Sequence, residues 1–376
     1  MFLQAFDFLI VGPVVPEIMR SIDAPSSQGL LIVSVQSLFA TFSALISGVF
    51  SDHWGRKRMI LTGLSIMCVG DLFMGFSSSF ALMLVSRAFS GVGIAMVFAN
   101  SVAYGADTSS YEKRGTVIGI LNGAQGVSMT LGILMGTSIT QHFSWHWNFW
   151  SIGFLTFVTL IAVNFTLPEA QSHRPSKKLD LSGFFGAYRD ALGRGVVILA
   201  LSCCVFWFGA FQGIFQNTSI FYAEFFNFSV EQVGWVLLLP MSMYIVGSSL
   251  GGRLCDVWGK STIAGLCSVV VCIGMLAFTN LTQVLIVSVL SLIVTAGFYG
   301  AGEASLLSLI SELKPEARGL IISVNGACIY GGIAIFTAVS SLVLDRWGFF
   351  EIGLLCGAFS LLLLPMSRHL VENRGG

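Results

Sequence analysis

Apolar residues along this chain run in stretches of about twenty, the length a helix needs to cross about 30 Å of hydrocarbon. Twelve such spans are predicted, over 1–20, 29–50, 58–78, 80–106, 115–142, 148–167, 195–223, 232–252, 261–280, 283–310, 319–344 and 349–365. The one long polar interval, 168–194, divides them six and six. The expected plan is therefore two six-helix bundles, 1–167 and 195–376, joined by a linker. The centre of that linker, 179–192, has the pattern of an amphipathic helix lying on a membrane surface.

The two halves repeat one another. Gly48, Asp52, Trp54 and Gly55 lie between the second and third spans, and Gly252, Asp256, Trp258 and Gly259 follow at a constant offset of 204 positions. Gln28 with Gln232, and Arg114-Gly115 with Arg318-Gly319, keep the same offset; Asn122-Gly123-Ala124 returns at 203. Such a repeat at one offset describes two like-oriented halves. The Gly residues of the loops permit a tight turn and close helix approach. Arg56, Lys57 and Arg58 add positive charge to the first loop.

Composition narrows the class. Of 376 residues 55% are hydrophobic and only 10% charged, against about 25% charged in soluble domains, so the chain reads as an all-α polytopic membrane protein. Net charge is zero, which implies no nucleic-acid partner. No Gly-x-x-x-x-Gly-Lys-Ser/Thr loop is present, which argues against an ATP-hydrolysing pump. The eight Cys fall almost entirely in apolar runs without spaced pairs and read as small core residues. No cofactor or metal is expected; His142 and His146, four apart, sit in an outer loop without a carboxylate nearby. The first twenty residues lack a basic leading region and contain Asp7, so they read as a retained helix rather than a cleaved signal.

Lys and Arg set the orientation. One side carries Arg56, Lys57, Arg58, Lys113, Arg114, the basic residues of the linker, Arg253, Lys260, Lys314, Arg318, Arg368 and Arg374; the other carries Arg20 and Arg346. Both termini are therefore expected in the cytoplasm, with the chain multi-pass in the plasma (inner) membrane and a monomer as its working unit.

Charges inside spans are functional by default. Arg87 lies in the fourth span, Asp7 in the first and Glu303 in the tenth. Desolvation favours a neutral carboxylate, which suits proton binding and release, so Asp7, Arg87 and Glu303 form the candidate proton-coupling set. Counting 1.5 Å per residue leaves a depth gap of about 10 Å between Asp7 and Arg87. A shared water-filled cavity is expected rather than a direct bond. Asp71, in the third span, reads as structural. In the seventh span Gln212 and Gln216 share a helix face among Trp207 and Phe211; an aromatic wall with few polar groups suits amphipathic ligands, so these four, with Asn100, are expected to line a substrate cavity.

The loop pair resembles that between helices two and three, and eight and nine, of the major facilitator superfamily, and the resemblance spans essentially the whole chain. It implies a twelve-helix fold whose loop residues (Gly48, Asp52, Gly55, Arg56, Gly252, Asp256 and Gly259, with Arg114 and Arg318) act as gates. Asp52 would face the start of the eleventh helix near Gly319 and Asp256 the start of the fifth near Gly115. Arg87 with Gly91 and Gly93 resembles the helix-four motif of proton-coupled members, and Leu167-Pro168-Glu169, Tyr188-Arg189 and Gly247-Ser248 are similar to the drug:proton antiporters, bicyclomycin-resistance-type exporters in particular. His146 stands where Arg is common in the Trp-rich turn of drug exporters, and Ser90 where some proton-coupled members have Gln. The antiporter signature Gly-Pro-x-x-Gly-Gly departs here to Gly132-Ile133-Leu134-Met135-Gly136-Thr137. The implied activity is export of small organic or amphipathic molecules against protons across the bilayer. The alternative is a proton symporter importing an organic or aromatic acid, a pattern that Phe6-Asp7, Gly12 and Pro16 also resemble, although Gln4 replaces that family's second Asp.

Overall fold

The computed structural model describes residues 1–109, 114–168, 195–280, 284–311 and 318–372, with Gly186 and Gly193. Among the described residues every regular element is a helix. In the first half these are α1 (Phe2–Arg20), α2 (Ser26–Trp54), α3 (Arg56–Gly75), α4 (Phe80–Thr108), α5 (Arg114–Val127), α6 (Ile133–His142) and α7 (Trp145–Thr166). A π turn, Ser128–Gly132, joins α5 to α6, so the fifth span is one bent rod. The second half has α8 (Gly195–Phe215), α9 (Thr218–Phe226), α10 (Val230–Trp258), α11 (Lys260–Asn280), α12 (Leu285–Ser311), α13 (Arg318–Arg346), α14 (Phe349–Leu361) and α15 (Leu363–Glu372). Among the described residues eleven helices are long and apolar enough to cross a membrane; the bent fifth span is the twelfth rod. The linker helix expected over 179–192 lies outside the described residues.

Packing repeats as the sequence does. In the first half α2 and α3 both pack on α4, and α3 on α7; in the second, α10 and α11 both pack on α12, and α11 on α14. The halves meet through α2 with α13 and the equivalent pair α6 with α10, and through α1 with α9; α1 and the π turn also touch α10. One continuous core, from Phe6 and Val14 to Phe221 and Ile352, runs through both.

The two loop motifs prove shorter than expected. Helix α2 continues through Asp52 to Trp54 and α3 starts at Arg56, so Gly55 alone makes the turn, at φ 96°. Gly259 does the same between α10 and α11 at φ 85°. That backbone region is open essentially to glycine, which gives the paired glycines a physical cause. Arg56 then closes the turn by bonding Asp107 at the end of α4 (3.2 Å) and Ser51 (2.5 Å). Lys57 bonds the Asn164 carbonyl in the last turns of α7 (2.8 Å), a favourable place for a cation. These two residues at the start of α3 thus tie it to three other helices of its own half.

Gly55→Ala is expected to lower stability by about 1–3 kcal/mol, the cost of forcing a side chain into that backbone region. Gly252→Ala is the matched control: a Cβ there meets nothing within 4 Å and the position is helical, so its melting temperature in detergent should be unchanged or higher. Equal losses in the two variants would contradict this account of the turn.

Candidate functional site

Four spans of the first half converge on one buried charge cluster. Arg87 of α4 donates to Asp7 of α1 (Nη1 to Oδ1, 2.5 Å) and to Asp71 of α3 (Nη2 to Oδ1, 2.9 Å). All three side chains are 0% exposed. Gln36 of α2 donates to the second oxygen of Asp7 at 3.0 Å, and so does the Ser90 hydroxyl. The Arg87 guanidinium lies 4.8 Å from the centre of the Phe149 ring, a cation–π contact strengthened by desolvation. Glycines let the backbones come this close. A Cβ at Gly91 would strike the Gln36 carbonyl, and one at Gly70 the backbone of Ser86 and Ser90.

This corrects the expectation of a shared cavity between Asp7 and Arg87. The depth gap compared backbone positions, and the long arginine side chain reaches across it. It also changes the reading of Asp71, which belongs to the cluster. Gln36 was missed, although an amide in an apolar span is itself a signal, since it needs a partner there.

Glu303 of α12 is half-buried and accepts from the Tyr244 hydroxyl of α10 at 2.8 Å. Behind it rings stack in series: Tyr244 on Tyr299 (5.8 Å between centroids), Tyr299 on Phe211 (3.8 Å) and on Trp207 (5.5 Å). Trp207 and Phe211, expected at a cavity wall, are instead 1% and 6% exposed. They back Tyr299, and Gly302 leaves room for the Trp207 indole. Asn100 is likewise buried, bonding Ser47 of α2 (2.9 Å) and the Met96 carbonyl (2.7 Å). Gln212 is half-buried and accepts from Gln216 at 3.1 Å.

Gln216 marks a feature the apolar-length rule did not resolve: the seventh span breaks at Gln216-Asn217, between α8 and α9. Four polar residues in a row, Gln216 to Ser219, were the available signal. There the halves touch. Pro16 lacks an N–H, so the Gly12 carbonyl one turn earlier has no helical partner, and the Ser219 hydroxyl takes it at 2.5 Å. A side chain at Gly12 would collide with Gln216. Three further contacts join the same end: Ser341 to the Ser27 carbonyl (2.7 Å), Ser27 to Asp345 (3.3 Å) and Ser138 to Glu231 (2.8 Å). The π turn in the fifth span leaves α6 against α10, with Gly136 seated on Ile10 and Phe6.

Toward the loop-motif end Ala327 of α13 still packs with Ala40 and Ala44 of α2, while other positions are open. Gly126 still meets Ile245, but a Cβ at Gly119, Gly123, Gly252 or Gly326 would meet nothing within 4 Å. Asp256 is exposed. The side chains of Asp52, Arg114 and Arg318, on which the gating expectation also rests, lie outside the described residues, as does Gly319. His142 bonds the Ser138 carbonyl and His146 the Ser144 hydroxyl. Among the described residues no group of three His, Cys, Asp or Glu is placed to hold a metal.

The family model described as Major Facilitator Superfamily matches residues 1–229 and 211–374. Among curated proteins, the uncharacterized MFS-type transporter YwfA of Bacillus subtilis (strain 168) is 20% identical over 381 residues, covering 100% of this chain and 90% of its own. The multidrug efflux protein YfmO of the same organism is 26% identical over 233 residues, 62% of this chain and 57% of its own. Two solved structures share the fold. A D-xylose-proton symporter has a TM-score of 0.79 at 14% identity, over 97% of this chain and 94% of that one. The human organic anion transporter MFSD10 (TETRAN) has 0.75 at 18%, over 97% and 96%.

Removing one partner of a buried ion pair costs about 3–5 kcal/mol. Arg87→Ala, which strands two carboxylates, is expected to fall at or beyond the top of that range and to lower the melting temperature far more than Asn100→Ala. Similar melting of the two variants would show that the cluster is not what holds these spans together.

Proposed function

The chain belongs to the Major Facilitator Superfamily of membrane transporters, and from that premise we propose that it is a proton-coupled secondary transporter exporting small organic or amphipathic molecules by alternating access. The observation that carries this reading is the Asp7–Arg87 contact. In a chain with so few charges, a fully buried carboxylate and guanidinium on different spans form a titratable element whose two states differ in charge and bonding. Asp7 lies on the same helix as Gly12, where the halves close through Ser219 and Gln216. A change in the charge of the cluster that holds Asp7 is thereby coupled to the position of α1 against α9, which supplies the two-state element that alternating access needs.

In the proposed cycle the closed end faces outward and the loop-motif end faces the cytoplasm, following the placement of Lys and Arg. Substrate enters between the halves near Gln212, Tyr244 and Glu303. Glu303 is a second proton site or the contact for a cationic substrate. Likeness to a multidrug efflux protein over 62% of the chain supports export. The Asp52, Arg56, Asp256, Arg114 and Arg318 positions bias which side is open.

The test uses purified protein in proteoliposomes with ethidium as the amphipathic probe and an imposed pH gradient. Ethidium movement should follow the gradient in the unaltered chain and cease to respond to it in Asp7→Asn. Glu303→Gln should lose flux while still reaching the membrane. Gradient-driven flux retained in full by Asp7→Asn would contradict the assignment.

A further inference from the structure

The buried cluster holds two carboxylates and one guanidinium, all at 0% exposure. With both acids ionised, one negative charge has no counterpart in a low-dielectric surrounding, where an unpaired charge is strongly disfavoured. One proton makes the cluster neutral. The question is which carboxylate carries it, and the hydrogen-bond inventory answers. Both oxygens of Asp7 are met by donors: Arg87 on one, Gln36 and Ser90 on the other. Asp71 accepts from Arg87 through Oδ1, with the Ser90 hydroxyl a distant 3.4 Å away, and its Oδ2 is buried with no partner. Donors aimed at a carboxylate favour its ionised form, and an oxygen without them does not.

We propose that the proton this chain exchanges is carried by Asp71 of α3, with Asp7 remaining ionised as the permanent counter-ion of Arg87. The inference rests on the proton-coupled reading above and deepens it, naming the carrier. Asp71 meets few other groups able to disturb the assignment. Facing it are Asp7 from α1, Gln36 from α2, and Arg87 and Ser90 from α4. From its own helix comes Cys68, whose thiol donates to the Gly153 carbonyl at 3.3 Å. Helix α7 brings the Phe149 ring over Arg87 and has no Asp, Glu, Lys or Arg; its His146, one turn before Phe149, is bonded to Ser144. Binding or release at Asp71 therefore switches the cluster between neutral and singly negative, while Arg87 keeps hold of α1.

Infrared difference spectroscopy on the purified full chain in lipid tests this directly, because the carbonyl stretch of a protonated acid changes frequency when Asp is replaced by Glu. The band of a protonated carboxyl at neutral pH should move in Asp71→Glu and stay in place in Asp7→Glu. A band that moves with Asp7→Glu, or no such band at neutral pH, would overturn the proposal. Should the longer side chain prevent folding, Asp71→Asn carries the test. It keeps an acceptor for Arg87 and replaces a protonated oxygen with an amide. It should therefore lose the band yet melt close to the unaltered chain, whereas Asp7→Asn puts an NH2 where one of the two donor-met oxygens stood, facing either Arg87 or the Gln36 and Ser90 donors, and should melt lower. The reverse order of melting would equally overturn it. Neither readout needs a substrate. Absent proton-driven flux would thus count against the transport reading alone, and a band assigned to Asp7 against this inference alone.

Discussion

A guanidinium sealed from water must be met by carboxylates, and much of the first half is arranged to satisfy Arg87. Its two terminal nitrogens reach α1 and α3 at once, Gln36 of α2 holds the other oxygen of Asp7, and the Phe149 ring of α7 lies over the guanidinium. Five spans are thereby tied to one side chain. The small residues around it follow from the same demand, since Gly70 and Gly91 let three backbones approach closely enough for short polar side chains to meet.

The second consequence is mechanical. Helix α1 carries both Asp7 and, five residues on, the Gly12 carbonyl that Pro16 leaves free for Ser219 of the other half. Charge and closure share one short rod. At the other end of the molecule Gly119, Gly123, Gly252 and Gly326 of α5, α10 and α13 face open space. Close contact between the halves at the α1–α9 end, and the mirrored packing of the halves, are what a rocking pair of bundles requires.

How much of this was legible in the sequence depended on what apolar length can encode. Twelve rods and the duplicated plan followed from span length and from the offset joining Gly55 to Gly259. Asp7, Arg87 and Glu303 stood out because charge is rare in such runs. What sequence withholds is direction around the helix axis: lipid and protein core are both apolar, so the pattern does not say which way a side chain points. Trp207 and Phe211 were expected at a cavity wall for that reason and instead back Tyr299. Asp71 was read as structural because its helix was expected to support from outside, though its carboxylate turns inward to Arg87. The break at Gln216-Asn217, marked only by four polar residues, and the π turn before Ile133 both fall inside spans of the expected length, and a length rule passes over both.

The central claim is that proton occupancy of the buried cluster sets which end of the bundle pair is open. The most direct measurement is the distance between spin labels at the open positions. One label is placed at Gly119→Cys in α5 and one at Gly252→Cys in α10, after replacement of the eight native cysteines, in lipid across the neutral pH range. The account predicts two populations, long and short, whose ratio changes with pH in the unaltered chain and is fixed in Asp71→Asn. A distance distribution that ignores pH, or one that responds equally in Asp71→Asn, would contradict it.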